Sequence, residues 1–179
     1  MITHTHFRFC PKCGRRNIKA FNGKGMKCAD CGYLYFHNCA SATMGIIEAA
    51  HGIILVKRGS SPKRGYYDLP GGFVDYGESF EAALKREVKE ELNIVVVDLR
   101  YFASFPNIYH YKRVTYFTTD TVFICKPATI EGMHPKEEIA EIAITAPEKI
   151  DMEAIAFESS RQALRKYLRA KRNFSAISR

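Results

Sequence analysis

The spacing of hydrophobic and polar positions changes several times along the chain, and each change marks an element. Residues 1 to about 38 alternate only weakly, in "GKGMKC" and "YLYF", between pieces rich in Cys, Gly and Lys. From Met44 the pattern strengthens: "MGIIEAAHGIILVKR" reads as two apolar strands with a turn near Ala50 to Gly52. "GSSPKRGYY" is a loop by its Gly, Ser and Pro content, and "YDLPGGFVD" a short strand interrupted by Pro70, Gly71 and Gly72. A helix is predicted over roughly 78–92, with Phe80, Ala83 and Leu84 toward one side. "IVVVDLRYFASF" and "VTYFTTDTVFIC" are β-branched and aromatic, hence strands. "HPKEE" is a loop and "IAEIAIT" a further strand. Phe157, Ala163, Leu164, Tyr167 and Leu168 give "FESSRQALRKYLRAKR" a helical period, and the tail "NFSAISR" is expected to fray. Strands and two helices interleaved around one core make an α/β class with a mixed sheet. No internal repeat or low-complexity segment interrupts it.

The first helix carries a conflict. Glu87, Glu90 and Glu91 stand at i, i+3 and i+4, so they share one arc on the core side, in the half where the helix dipole is negative. A solvated acidic face is the ordinary explanation for such a run. A hard divalent cation removes the conflict outright, because clustered carboxylates are what Mg²⁺ and Mn²⁺ bind. The Gly-rich strand exit just before the helix favours the cation.

The cysteines carry a second chemistry. Cys10 and Cys13 form one CxxC pair, Cys28 and Cys31 another, each followed by a glycine, Gly14 and Gly32. Two such pairs offer four thiolates to one tetrahedral Zn²⁺, and four cysteines leave no open position, so the site reads as structural. Free thiols or two disulfides are the alternative. The segment is too small to fold on apolar area alone, and metal would supply its folding energy. Cys125 in "TVFIC" reads as a buried strand residue.

Composition narrows the classes. Hydrophobic residues make up 46% and charged residues 26%, a globular balance. No apolar run reaches the ~18 residues of a membrane span, and the N-terminus shows no apolar leader, so the expected compartment is the cytoplasm. The formal net charge of +8 suits polyanionic partners such as nucleotides.

From Gly72 to Ile94 the order is Gly, five residues, Glu78, seven residues, then "REVKEELNI". This resembles the Nudix box of the Nudix hydrolases at every position but one, where Asn93 replaces the usual glycine. "YYDLPGGFVDYGES" is similar to the family's lead-in. The resemblance implies a Nudix α/β/α sandwich over residues 39–179, preceded by a zinc ribbon over 1–38. It implies hydrolysis of a nucleoside diphosphate linked to another group. Carried over by position, Glu87, Glu90, Glu91 and the Gly72 carbonyl hold Mg²⁺ or Mn²⁺, and Glu78 and Arg86 pair to brace the loop–helix join. The general base is Glu87, or Glu137 or Glu138 in "HPKEE".

A four-cysteine ribbon before the box is similar to that of NADH pyrophosphatases. Their SQPWPFPxS-like motif is absent here, where "FASFPNIYHYKRVTYFTTD" stands in its place and the chain has no Trp. Asn107, Tyr109 and Tyr111 then line a base or ribose pocket, or belong to a plain hairpin with exposed tyrosines. Arg58, Lys63 and Arg64 meet phosphate or sit on a solvated loop. The expected substrate is a nucleoside diphosphate sugar or dinucleotide, ADP-ribose and NAD(H) first. The alternatives are an RNA 5′-cap hydrolase and a nucleotide-sensing regulator, against which the intact "REVKEE" speaks. Nucleic acid ranks behind small nucleotides as a partner, and a homodimer is left open.

Overall fold

A computed structural model of the chain describes residues 7–136 and 138–177, with side chains as far as Asn173. Two compact units divide it, one ending at Cys39 and one starting at Ala40.

The first unit is a three-stranded antiparallel sheet, β1 (Ile18–Phe21), β2 (Gly25–Cys28) and β3 (Leu34–Phe36). Its core is slight: Cys10, Met26 and Cys28 are its buried apolar residues. Two matching turns precede the first two strands and the third, closed by Gly14 N–H to the Cys10 carbonyl at 2.9 Å and Gly32 N–H to the Cys28 carbonyl at 3.0 Å. Gly14 and Gly32 take φ of 72° and 73°, a left-handed backbone that glycine adopts without strain.

The second unit is built on β4 (Ala40–Ala49), β5 (Gly52–Arg58), β6 (Tyr67–Asp68), β7 (Gly71–Phe73), β8 (Val96–Tyr111), β9 (Val114–Pro127) and β10 (Ile139–Thr145). The strand order is β10-β5-β4-β9-β8, with β6 on β5 and β7 on β4. Among the described strand pairs only β4 and β9 run parallel, so the sheet is mixed. Alternation along buried strands makes two cores. Ile46, Ile53, Leu55 and Val122 face α2 (Glu158–Ile177) through Ala163, Leu164 and Tyr167. Ile47, Ile54, Val56 and Phe123 face α1 (Phe80–Leu92) through Leu84, Val88 and Leu92. The result is an α/β/α sandwich.

Three details differ from the simplest reading of the sequence. β8 and β9 extend as one hairpin through "NIYHY", turning at Lys112 and Arg113, both at positive φ. Pro106 is tolerated inside β8 because β8 is an edge strand. The backbone of α2 continues to Ile177 and takes in most of the tail expected to fray. No helix among the described residues is long and apolar enough to cross a membrane.

Candidate active site

The helix α1 is set at both ends by its own sequence. Ser79 caps its start by accepting from the Ala82 N–H at 3.2 Å, and Asn93 ends it at φ 57°, ψ 26°, its N–H bonded to the Lys89 carbonyl. Asn takes this left-handed cap at little cost, so the box tolerates it in place of glycine. The last carbonyls of α1 are met from outside: His134 N–H donates to Leu92 and Lys136 N–H to Glu91. The "HPKEE" loop is thereby tied to the acidic end of α1.

Arg86 organises the acids. Its Nε and Nη2 donate to the two oxygens of Glu78 at 2.8 and 2.9 Å, and Nη2 also donates to the Phe73 carbonyl at 3.0 Å. Its Nη1 donates to Glu87 and Glu90, each at 2.9 Å. The repulsion expected of Glu87 and Glu90 is thus relieved by an arginine between them. Glu91 turns the other way and accepts from the Gly71 N–H at 3.0 Å. Burial, with Glu87 and Asp68 adding repulsion, pushes its carboxyl well above the usual range. Burial raises Glu87 as well, against the pull of Arg86.

The glycines before the helix are fixed by close approach. At Gly71, φ 145°, a Cβ would run into the Thr43 carbonyl; at Gly72 it would lie 2.6 Å from the Glu87 carboxyl carbon. The Glu87 carboxylate is therefore seated against the Gly72 backbone.

These groups line one wall of a cleft of ≈ 290 Å³. Glu87, Glu91, Gly72 and Asp75 are on the acidic side; Arg58, Tyr109, Phe157, Asn107 and Glu138 stand in the same cleft. Tyr109 packs against Phe157 and Phe73 at 5.6 Å between ring centres, and Arg58 lies over Phe157 at 5.2 Å. Tyr111 stacks on Tyr109 at 6.3 Å. Ser60 Oγ donates to the Glu138 carboxylate, and Gly59 N–H donates to the Glu138 carbonyl at 2.6 Å. Glu90 does not line this cleft, and Lys63 sits over Tyr66 instead. Glu137 lies outside the described residues.

The floor holds groups that sequence reasoning missed. Asp120, 4% exposed, accepts from Thr118, Asn107 and Ser159. Asp68 accepts from Ser160 and the Leu69 N–H, and burial pushes it up to about 6. Thr43 Oγ1, in a residue 2% exposed, has no hydrogen-bond partner among the described residues. A signal existed for one of them: Asp is rare mid-strand, and Asp120 interrupts a β-branched run.

The fit to cations follows from the donors. Glu87 and Glu91 are half-buried carboxylates held close to uncharged backbone, and an orphan hydroxyl lines their cleft. Such hard oxygens suit Mg²⁺ or Mn²⁺. In the first unit the fit is metrical. Cys10 Sγ lies 3.7 Å from Cys31 Sγ, and Cys13 Sγ 3.7 Å from Cys28 Sγ. Those spacings match the edge of a tetrahedron with Zn–S bonds of ~2.3 Å and exceed a disulfide bond of ~2.05 Å. All four sulfurs lie within 4.8 Å of one another, the one such set of three or more ligating side chains among the described residues.

Known proteins resemble this chain in sequence or in fold. The NAD-capped RNA hydrolase NudC of Haemophilus influenzae is 36% identical over 118 residues, covering 65% of this chain and 44% of that protein. NudC of Vibrio cholerae is 36% identical over 99 residues, covering 55% and 36%. The chain thus matches less than half the length of these relatives. A NUDIX hydrolase from Nitrosomonas europaea superimposes with a TM-score of 0.76 over 93% of each chain at 24% identity, a likeness of fold. A nudix hydrolase family member from Chromobacterium violaceum gives 0.56 at 28% identity. A family model of the NUDIX domain matches residues 39–167, which takes in the glycines, the acidic helix and the cleft just described, and this chain belongs to that family.

Proposed function

We propose that this protein is a divalent-metal-dependent pyrophosphohydrolase that cleaves the phosphoric anhydride of a nucleoside diphosphate linked to a second group, with residues 1–38 a zinc ribbon and 39–179 the hydrolase domain. One observation carries the reading: the box carboxylates Glu87 and Glu91 share a cleft with a cation, Arg58, and an aromatic wall, Tyr109 and Phe157. That pairing fits a ligand with a charged diphosphate in its middle and a flat ring at one end.

Glu87, Glu90, Glu91 and the Gly72 carbonyl would hold Mg²⁺ or Mn²⁺, which supplies charge neutralisation for the diphosphate and a more acidic water. To hold it, Glu87 and Glu90 would give up their shared bonds to Arg86 Nη1, while Arg86 would keep its fork on Glu78. Arg58 faces the diphosphate oxygens, and Tyr109 with Phe157 stacks the base or ribose. Glu138, steadied through Ser60 and Gly59, accepts the proton of the attacking water. Glu87 is the second candidate for that role, weakened by its seat against Gly72 and Arg86.

A second reading keeps the same chemistry with a larger leaving group, an RNA whose 5′ end carries a nucleotide through a pyrophosphate. The relatives named NAD-capped RNA hydrolase and the net charge of +8 favour it.

The test is a panel of ADP-ribose, NADH, UDP-glucose and nucleotide-capped RNA incubated with Mg²⁺ or Mn²⁺ and resolved by chromatography. The expected products are pairs of monophosphates. No anhydride cleavage on any substrate with either metal would overturn the reading.

A further inference from the structure

The charge of this protein is not spread evenly. Seven of its 27 Lys and Arg lie in the first 39 residues, against one of its 19 Asp and Glu, so this unit carries +6 of the net +8. Arg8, Lys12, Arg15, Arg16, Lys19, Lys24 and Lys27 are all exposed. The unit's one acid, Asp30, is engaged by Asn17 at 3.3 Å. A tetrathiolate zinc would contribute a net charge of −2 and leave the unit strongly positive.

Strand register concentrates part of that charge on one face. Lys19 on β1 stands directly opposite Lys27 on β2, which stands opposite Leu34 on β3. Like charges opposed in this way destabilise a sheet. The next row on the same face is Phe21, Gly25 and Phe36. Gly25 adds no side chain between the two phenylalanines, whose rings meet edge to face at 6.1 Å. A Cβ at Gly25 would run into the Tyr35 carbonyl oxygen. Phe36 stays 46% exposed and Leu34 38% exposed. The opposite face holds Met26 and Cys28, 3% and 1% exposed, so the unit's small core is already behind this sheet. The lysine and phenylalanine rows lie ~6.8 Å apart along each strand.

We propose that this lysine–phenylalanine face of the ribbon is a platform for single-stranded RNA. A base stacks on Phe36 beside Phe21, and the neighbouring phosphates meet Lys19 and Lys27, removing the like-charge opposition. Exposed planar rings flanked by cations suit unstacked bases on a phosphate chain. An acidic peptide would answer the lysines and leave Phe36 without a planar partner. The choice of RNA over DNA rests on the hydrolase reading above, in which the polymer that carries a 5′ nucleotide pyrophosphate is RNA.

Fluorescence anisotropy with a labelled, unstructured 15-nucleotide RNA tests this on the full-length protein without added Mg²⁺. Lys19→Gln with Lys27→Gln should weaken binding and lower the slope of log affinity against log salt by about 0.7 per lysine. Phe36→Ala should weaken binding about fivefold or more with the slope unchanged. Both variants should keep their far-UV circular dichroism and their rate on a small nucleotide substrate. The same sequence as duplex RNA, and as a DNA strand, should bind more weakly. Equal binding of the duplex, or no loss in Phe36→Ala, would overturn the platform; equal or tighter binding of DNA would overturn the choice of RNA. Failure of the hydrolase reading shows separately, as RNA bound by a protein that cleaves no anhydride.

Discussion

Arg86 grips Glu78 with two parallel hydrogen bonds, 2.8 Å from Nε and 2.9 Å from Nη2, across the loop that enters α1. The fork joins the strand exit to the helix, since Nη2 also holds the Phe73 carbonyl and Glu78 also accepts from the Asp75 N–H. Lysine has no fork. Arg86→Lys is therefore expected to cost about 2 kcal/mol, and about 6 °C in Tm for a domain of this size. Thermal unfolding followed by circular dichroism, metal-free, measures it. A Tm within one degree of the parent would show the brace to be dispensable.

The box glutamates should separate by their partners. Glu90→Gln and Glu91→Gln are each expected to lower kcat by about 10² or more at saturating Mg²⁺. Their metal-free stabilities should move in opposite directions. Glu90 accepts from Arg86, so losing its charge weakens an ion pair. Glu91 is a half-buried carboxylate raised by desolvation and by its neighbours, so losing its charge relieves the fold. Full turnover in both variants would make this helix face structural.

The acids around the cleft also set a pH dependence. Asp68 is pushed up to about 6, and Glu87 and Glu91 are raised too. A raised carboxyl binds its proton more tightly folded than unfolded, so its stabilisation is complete below about pH 4 and is lost as pH rises toward 6. The metal-free protein should accordingly lose Tm between about pH 4 and 6, with a loss of order 2 kcal/mol from Asp68. Asp68→Asn keeps an acceptor for Ser160 and the Leu69 N–H, and should flatten that slope. A Tm rising steadily from pH 4 to 7 in both proteins would contradict it.

For the ribbon, elemental analysis should return close to one zinc per chain. Cys28→Ser removes a buried ligand, and should release zinc and unfold residues 1–38 while the hydrolase domain keeps its own transition. A parent protein without zinc and with paired disulfides would overturn the site.

What the sequence made legible was local. Glu87, Glu90 and Glu91 share an arc because helix geometry requires it, and Cys10, Cys13, Cys28 and Cys31 converge because two CxxC turns are rigid. What it hid was long-range. Arg86 between Glu87 and Glu90 depends on a fork set by Glu78 eight residues away. Thr43 lies beside Thr121 only because β4 and β9 run parallel. Asp68 and Asp120 take their donors from α2, through Ser160 and Ser159. Tyr109 was readable as an aromatic on a hairpin, and it stands on the β8–β9 hairpin with its ring in the cleft. Its company with Arg58 and Phe157 was not readable, because no periodic pattern links three distant segments.

Substrate choice follows from what the cleft offers. Arg58 stacks over Phe157, Phe157 packs on Tyr109, and Tyr109 packs on Phe73, so one continuous aromatic wall carries one guanidinium. Such a wall can take one flat ring, and Arg58 the diphosphate beside it. The second ring of a dinucleotide would need another wall, and the remaining lining offers no further aromatic side chain: it is carboxylates (Asp68, Asp75, Asp120, Glu87, Glu91, Glu138), small or polar residues and the aliphatic Met44 and Leu69. ADP-ribose has one base and NADH has two. We therefore expect kcat/KM for ADP-ribose to exceed that for NADH by about tenfold, which requires only ~1.4 kcal/mol of differential transition-state binding. Tyr109→Ala should lower kcat/KM for both substrates, mainly through KM, because the stack is present in the ground state as well. Competition of ADP-ribose, UDP-glucose and NADH in one vessel at limiting enzyme decides the order. Consumption of NADH first would mean that a surface outside this wall recognises the nicotinamide half.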